Sequence, residues 1–348
     1  MDTVTLESMA DAKTVLITNT VDPAVLARLQ PHCRVVANTE PRPWTRQELL
    51  AHAREATAIL AFMTDCIDEA FLSVCPKLHI VACALKGYDN FDTDAFTRRG
   101  VWLTVVPELL SVPTAELTIG LTIAAARNIV EESHFIRSGA FQGWRPFHSG
   151  SLVAGSTVGI VGMGALGRAI AERLAGFGVR MVYCDTRVIE GAVERHLQIA
   201  RLSFDDLLSE SDFVILAVPL SSGTTHLIDS SALARVKRGA ILVNTARGSL
   251  VDEEAVARAL ESGTLAAYAA DVFEMEDWIR PDRPRSIPTR LIESPQTVLT
   301  PHIGSAIPSV RRQIAMQAAD SIIEFLRGVR PPPGAVNRSS PVSDRVSC

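Results

Sequence analysis

Short apolar runs recur along the chain, each followed by a stretch with helical spacing. In the first third the runs are Thr14–Thr18, Arg34–Ala37, Ala58–Phe62, Leu78–Ala84 and Val101–Val105. Near-continuous apolar runs bounded by polar turns predict buried strands of a parallel sheet. Between them, Asp22-Pro23 and Thr45 put a capping side chain ahead of a helical stretch. A longer helical stretch runs from Pro113 to Arg127. Strands resume at Thr157–Val161, Arg180–Cys184, Phe213–Val218, Ala240–Asn244, Ala267–Asp271 and Thr297–Thr300. A last helical stretch, Val310–Arg327, is stopped by Pro331-Pro332-Pro333-Gly334, and the polar residues beyond it predict a mobile tail.

This alternation predicts an α/β fold with parallel sheets in two domains. The helical stretches near 113–127 and 310–327 bracket the second set of strands, so the final helix is expected to rejoin the first domain. The expected division is residues 1–110 with 306–348 for one domain, split in sequence, and 111–305 for the other.

The chain has 348 residues, of which 47% are hydrophobic, enough for two cores. A formal net charge of −5 argues against a general affinity for nucleic acid or acidic membranes. An anionic substrate therefore needs a local basic pocket. The six cysteines are scattered with no C-x-x-C pair, and no His/Cys spacing suggests zinc. Asp89, Asn90, Asp92 and Asp94 lack the glycine and distal glutamate of a calcium loop. No metal is expected. The longest apolar stretch is too short to span a bilayer, and residues 1–13 carry no signal pattern, so a cytoplasmic location is expected.

Gly162-Met163-Gly164-Ala165-Leu166-Gly167 follows the apolar run ending at Val161, and Asp185 lies 18 residues past Gly167. A strand, a glycine turn and a helix N-terminus form an anion cradle. A carboxylate about 20 residues on is placed for the ribose hydroxyls of NAD rather than the 2′-phosphate of NADP. Arg187, two residues further, softens that preference, so NAD is expected with some tolerance of NADP. Three more segments sit just past predicted strands, where open parallel sheets bind ligands: Asn244-Thr245-Ala246-Arg247-Gly248, Asp271-Val272-Phe273-Glu274-Met275-Glu276-Asp277-Trp278 and Pro301-His302-Ile303-Gly304-Ser305. Each alone reads as an ordinary surface turn. Together they place an arginine, an acid and a histidine beside a dinucleotide turn. A carboxylate on a histidine fixes its tautomer and suits it to proton transfer.

The ordered set of these motifs resembles the D-2-hydroxyacid dehydrogenase family over roughly residues 14–330. The resemblance implies a Rossmann NAD-binding domain, a flavodoxin-like substrate domain and a homodimer. It implies Arg247, Glu276 and His302 as the catalytic trio. It also assigns Gly162, Gly164, Ala165, Leu166, Gly167, Asp185, Pro219 and Asp271 to the cofactor.

Three departures narrow this reading. Lys86 precedes Gly87 in Lys86-Gly87-Tyr88-Asp89-Asn90-Phe91-Asp92, where hydroxyacid dehydrogenases usually carry a small or apolar residue. Asp277-Trp278 follows Glu276 where many relatives have proline, and Phe141-Gln142-Gly143-Trp144 adds an unusual aromatic. These resemble the phosphite (phosphonate) dehydrogenases, with Phe147-His148-Ser149 replacing an aromatic expected there. Phosphite is a tetrahedral dianion, so a second cation beside Arg247 compensates its extra charge. The expectation is NAD-dependent oxidation of phosphite to phosphate, with Lys86, Gly87, Arg247, Met63, Trp144 and Ser305 around the substrate. The alternatives are a glyoxylate or hydroxypyruvate reductase, which shares the trio, and an NADH-sensing binding protein.

Overall fold

The structure, a computed structural model, describes residues 13–146 and 149–337. Expectations that fall on Phe147, His148 and the tail from residue 338 lie outside the described residues. The chain forms two compact units, one up to Leu110 and again from Ile307, the other Ser111–Ala306.

In the first unit, β1 (Thr14–Ile17), β2 (Arg34–Ala37), β3 (Ala58–Ala61), β4 (Ile80–Cys83) and β5 (Trp102–Thr104) form a parallel sheet in the order β2-β1-β3-β4-β5. Alternation of side chains across the pleat divides the core into two layers. Val15, Ile17, Leu60, Ile80 and Ala82 pack on one face with Ile314, Ala318 and Ile322 of the helix Pro308–Leu326. Leu16, Ile59, Val81, Cys83 and Leu103 fill the other. The final helix packs within this unit. The helices Pro23–Leu29, Arg46–Ala53, Glu69–Ser73 and Thr93–Arg99 each start on a capping side chain, from Asp22, Thr45, Asp68 and Asp92.

In the second unit, β6 (Thr157–Val161), β7 (Arg180–Cys184), β8 (Ile199–Arg201), β9 (Phe213–Leu216), β10 (Ala240–Asn244), β11 (Leu265–Ala270) and β12 (Thr297–Leu299) form a parallel sheet in the order β12-β11-β10-β9-β6-β7-β8. The strand order reverses between β6 and β9, which creates a crevice at their carboxyl ends. Val158, Ile160, Ile215 and Val243 face one core, and Val161, Val214, Leu216 and Leu242 the other. The α/β class and parallel sheets agree with the sequence pattern.

Two elements escape that pattern. β8 is an edge strand in which only Ile199 is buried, so it lacks an apolar run. The helix expected over 113–127 spans Ser111–Ala126, and a second helix, Ile129–Arg137, follows it. Asn128, at φ 51°, separates the two, and no residue of the second is buried. Among the described residues no helix is long and apolar enough to cross a membrane.

Candidate active site

At the end of β6 the chain turns at Gly162 with φ 101°, a region that favours glycine. A Cβ there would come within 2.7 Å of the Ala217 carbonyl oxygen, so the turn also sits tight against the end of β9. Gly164 then begins the helix Ala165–Leu174 with no side-chain cap, and nothing lies within 4 Å of where its Cβ would be. The amides of this first turn are left for a ligand, the arrangement a pyrophosphate requires.

Asp185 follows β7. Its Oδ2 accepts from the Met163 N–H at 2.7 Å and its Oδ1 from the Arg187 N–H at 2.9 Å. Burial opposes its charge, but these amides hold the carboxyl below its usual range. The acid is thereby fixed beside the glycine turn, and Arg201 donates to its carbonyl oxygen at 2.9 Å. Pro219, past β9, accepts the Thr224 hydroxyl through its carbonyl at 2.8 Å. The glycine turn with its open amides and the anchored carboxylate fit NAD.

Arg247 leaves β10 on a loop shaped by Asn244. The fully buried Asn244 side chain donates to the Arg247 carbonyl at 2.8 Å and accepts from the Ala246 N–H at 3.1 Å. Gly248 is an obligatory close approach, since a Cβ there would lie 1.8 Å from the Phe273 carbonyl carbon. The Ser249 N–H donates to Asp277 Oδ2 at 2.8 Å. The Arg247 loop is therefore locked onto the short turn Glu274–Glu276.

Glu276 divides its carboxylate between two jobs. Oε1 accepts from the Phe273 N–H at 2.8 Å, closing its own turn, and Oε2 lies 2.5 Å from His302 Nδ1. With the carboxylate as acceptor, Nδ1 carries the proton and Nε2 is the basic face of the ring. Both side chains stay partly exposed, at 30% for His302 and 28% for Glu276. His302 has φ 54°, a conformation a non-glycine residue holds only when its surroundings impose it. Asp271 imposes it. Its Oδ1 accepts from the Thr300 hydroxyl at 2.6 Å and the Ile303 N–H at 2.8 Å, and its Oδ2 from the Gly304 N–H at 2.8 Å. Burial pushes this carboxyl up against the pull of its donors. Asp271 thus clamps the loop that carries His302 and Ser305, a role its position in the chain did not reveal.

The substrate residues expected from the first unit share its carboxyl edge. Met63 follows β3 and Lys86 follows β4, and the buried Asn90 side chain donates to the Met63 carbonyl at 3.3 Å, tying the two loops together. Lys86 and Gly87 are half-buried. Loss of solvent draws the Lys86 ammonium below its usual range, and Glu108 opposes the shift. In the second unit Trp144 is 79% exposed, and Trp278 lies under the Arg283 guanidinium at 4.5 Å. Sequence reasoning missed a second histidine–carboxylate pair on the same turn: His226 Nε2 lies 2.7 Å from Glu274 Oε2, which Arg280 also approaches at 3.2 Å. It also missed Glu253 behind them, which reads in sequence as an ordinary acid in the first turn of a helix.

Residues 119–304 match the family described as D-isomer specific 2-hydroxyacid dehydrogenase, NAD binding domain. A glyoxylate reductase of Aeropyrum pernix is 40% identical over 93% of this chain and 96% of its own length. A solved structure from Thermus thermophilus superposes with a TM-score of 0.83 at 35% identity, covering 93% of this chain and 99% of that one. An NADPH-dependent glyoxylate/hydroxypyruvate reductase of Sinorhizobium meliloti, solved with NADP and malonate, gives 0.79 at 26% identity over 95% and 100%. The chain belongs to the D-isomer specific 2-hydroxyacid dehydrogenase family.

Proposed function

We propose that this member of the family is a cytoplasmic, NAD-dependent phosphite dehydrogenase. The observation that carries the proposal is Lys86, a lysine drawn partly out of water on the turn after β4. A hydroxyacid substrate presents one carboxylate, for which Arg247 suffices. A tetrahedral dianion calls for a second fixed cation.

NAD, when bound, supplies the hydride acceptor. The remaining work falls to side chains. In this reading Arg247 and Lys86 are the cations for the phosphite oxygens, with the Gly87 N–H as a further donor and Met63, Trp144 and Ser305 as the remaining substrate residues. Water attacks phosphorus as the P–H bond breaks. His302 Nε2 takes the water's proton, and Glu276 stabilises the resulting imidazolium. Phosphite and water become phosphate, two electrons leave with the hydride, and one proton passes to solvent. The glycine turn from Gly162 to Gly167 and Asp185 hold the cofactor, with Pro219 and Asp271 beside it. Asp185 sets a preference for NAD that Arg187 softens; equal kcat/KM with NAD and NADP would refute that assignment.

The second reading is reduction of glyoxylate or a similar 2-oxo acid, with His302 donating the proton to the carbonyl oxygen. The names of the relatives favour this reading over phosphite. One assay separates the two, following NADH absorbance with NAD and phosphite and then with NADH and glyoxylate or hydroxypyruvate. Phosphite-dependent NADH formation supports the proposal. Oxo-acid turnover without phosphite turnover replaces it with the second reading, and cofactor binding without turnover marks a sensing protein. We also infer a homodimer. The helix Ile129–Arg137 buries none of its residues and exposes Ile129, Val130 and Ile136, a face suited to a second copy and tested by light scattering.

A further inference from the structure

Behind the Glu276–His302 pair lies a buried carboxyl group that the mechanism does not use. Glu253 opens the helix Glu253–Glu261 and is 1% exposed. It makes a reciprocal clasp with the turn Glu274–Glu276. The Glu274 N–H donates to Glu253 Oε1 at 2.8 Å, and the Glu253 N–H donates to Glu274 Oε1 at 3.2 Å. Glu253 Oε2 is buried and has no hydrogen-bond partner among the described residues.

The surroundings of Glu253 are acidic. From the turn it faces Glu274, Glu276 and Asp277, and from β11 the fully buried Tyr268. On its own helix, Glu254 pairs with Arg290 of the helix Thr289–Ile292, and Asp252 caps Ala255 with Arg258 at 4.0 Å. Around the turn, Arg280 and the His226 ring both approach Oε2 of Glu274, and the Arg283 guanidinium donates to the Met275 carbonyl at 3.0 Å. A buried carboxylate oxygen without donors among three other carboxylates is strongly disfavoured, and the neutral carboxylic acid costs far less there.

We propose that Glu253 carries a proton in the working enzyme and is a positioning residue, clasping the Glu274–Glu276 turn so that Glu276 meets His302 without another negative charge beside the pair. This inference rests on the catalytic reading of Glu276 and His302. Burial, with the nearby charges of Glu274, Asp277 and Glu276, pushes the Glu253 carboxyl up to about 8, so it is protonated at neutral pH and ionises on the alkaline side. The clasp fixes the amide of Glu274, two residues from Glu276, whose carboxylate both closes the turn and holds His302. Loosening the turn moves the histidine's partner rather than any group that touches substrate.

The test compares Glu253→Gln and Glu253→Ala in the full chain, with saturating NAD and phosphite or, if the first assay selects the oxo acid, saturating NADH and glyoxylate. Glutamine reproduces the neutral acid. It should keep kcat within about twofold at pH 7 and extend activity to higher pH, because it cannot ionise. Alanine removes the clasp and should lower kcat about tenfold to a hundredfold with the KM for the nicotinamide cofactor unchanged. If alanine fails to fold, as judged by circular dichroism, the pH profile of the glutamine variant still decides. An unchanged alkaline limb, a glutamine variant as damaged as alanine, or an alanine variant with wild-type kcat each overturns the proposal. His302→Asn measured alongside separates the two readings: if it retains wild-type kcat, the catalytic reading fails, whereas if it is inactive and Glu253→Ala is not, only the role of Glu253 fails.

Discussion

The five-stranded and seven-stranded sheets share their construction, with parallel strands and an order that reverses near the middle, but their carboxyl edges are finished differently. In the first unit the helices after β1 to β4 start on side-chain caps, and the buried Asp65 takes the Thr18 hydroxyl at 2.5 Å and the Phe62 N–H at 2.7 Å. The polar groups there are largely satisfied from within. In the second unit the helix after β6 starts on Gly164 and leaves its first amides open. There, Asp271 and Asn244 shape loops, while Ser203, Asp229 and Asp252 still cap later helices. One architecture therefore gives capped helix ends after β1 to β4 in one unit and open helix amides after β6 in the other, according to which donors the local residues already satisfy.

The largest test of this contrast is His302→Asn. If proton transfer belongs to the second unit, kcat should fall about a hundredfold to ten-thousandfold while the melting temperature stays near wild type. Retained kcat would remove the chemistry from that edge. Lys86→Ala tests whether the first unit contributes more than a frame. Loss of a charged contact predicts a rise in substrate KM of about tenfold to a hundredfold. An unchanged KM would return Lys86 to the role of a turn residue and favour the oxo-acid reading.

Gly164→Asp rebuilds the helix of the second unit in the style of the first. The site has room for the side chain, so stability should change by only a few tenths of a kcal/mol. A carboxylate on the open amides should raise the KM for NAD at least about tenfold, read in steady-state kinetics. Unaltered NAD binding would break the comparison at its central point.

The smallest effect concerns Asp65. Burial pushes its carboxyl from 3.8 to about 6 against the pull of Thr18 and Phe62. A carboxyl raised in the folded state binds its proton more tightly there. Its contribution to stability is full below 3.8 and is lost as pH rises through 6. Asp65→Asn lacks this titration, so the difference in unfolding free energy between wild type and variant should change by about 1–3 kcal/mol across that window. Denaturant unfolding at both ends of it is the check, and a constant difference would show that Asp65 does not titrate there.

Most of this frame is legible in the chain. The apolar runs mark every strand but β8, whose exposed Ala200 and Arg201 give no periodic signal. The glycine turn, Asp185, Arg247, Glu276 and His302 stand out because each follows a strand, the position at which a parallel sheet presents its loops. Asp271 stands out too, but its work does not. Its partners lie about 30 residues further on, and only the pairing of β11 with β12 brings them within reach. His226 and Glu253 carry no sequence signal, since a histidine in a loop and an acid in a first helical turn are ordinary.

By itself the sequence determined which segments become strands, where the chain turns on glycine and which side chains stand at strand ends, because these depend on local periodicity and backbone freedom. Tertiary structure decided which of those side chains meet. The left-handed backbone of His302, the 2.5 Å contact from Glu276 to its Nδ1 and the buried seat of Glu253 all depend on distant segments packing into one turn. Burial and proximity change what a carboxyl group does, and neither is a property of its place in the chain.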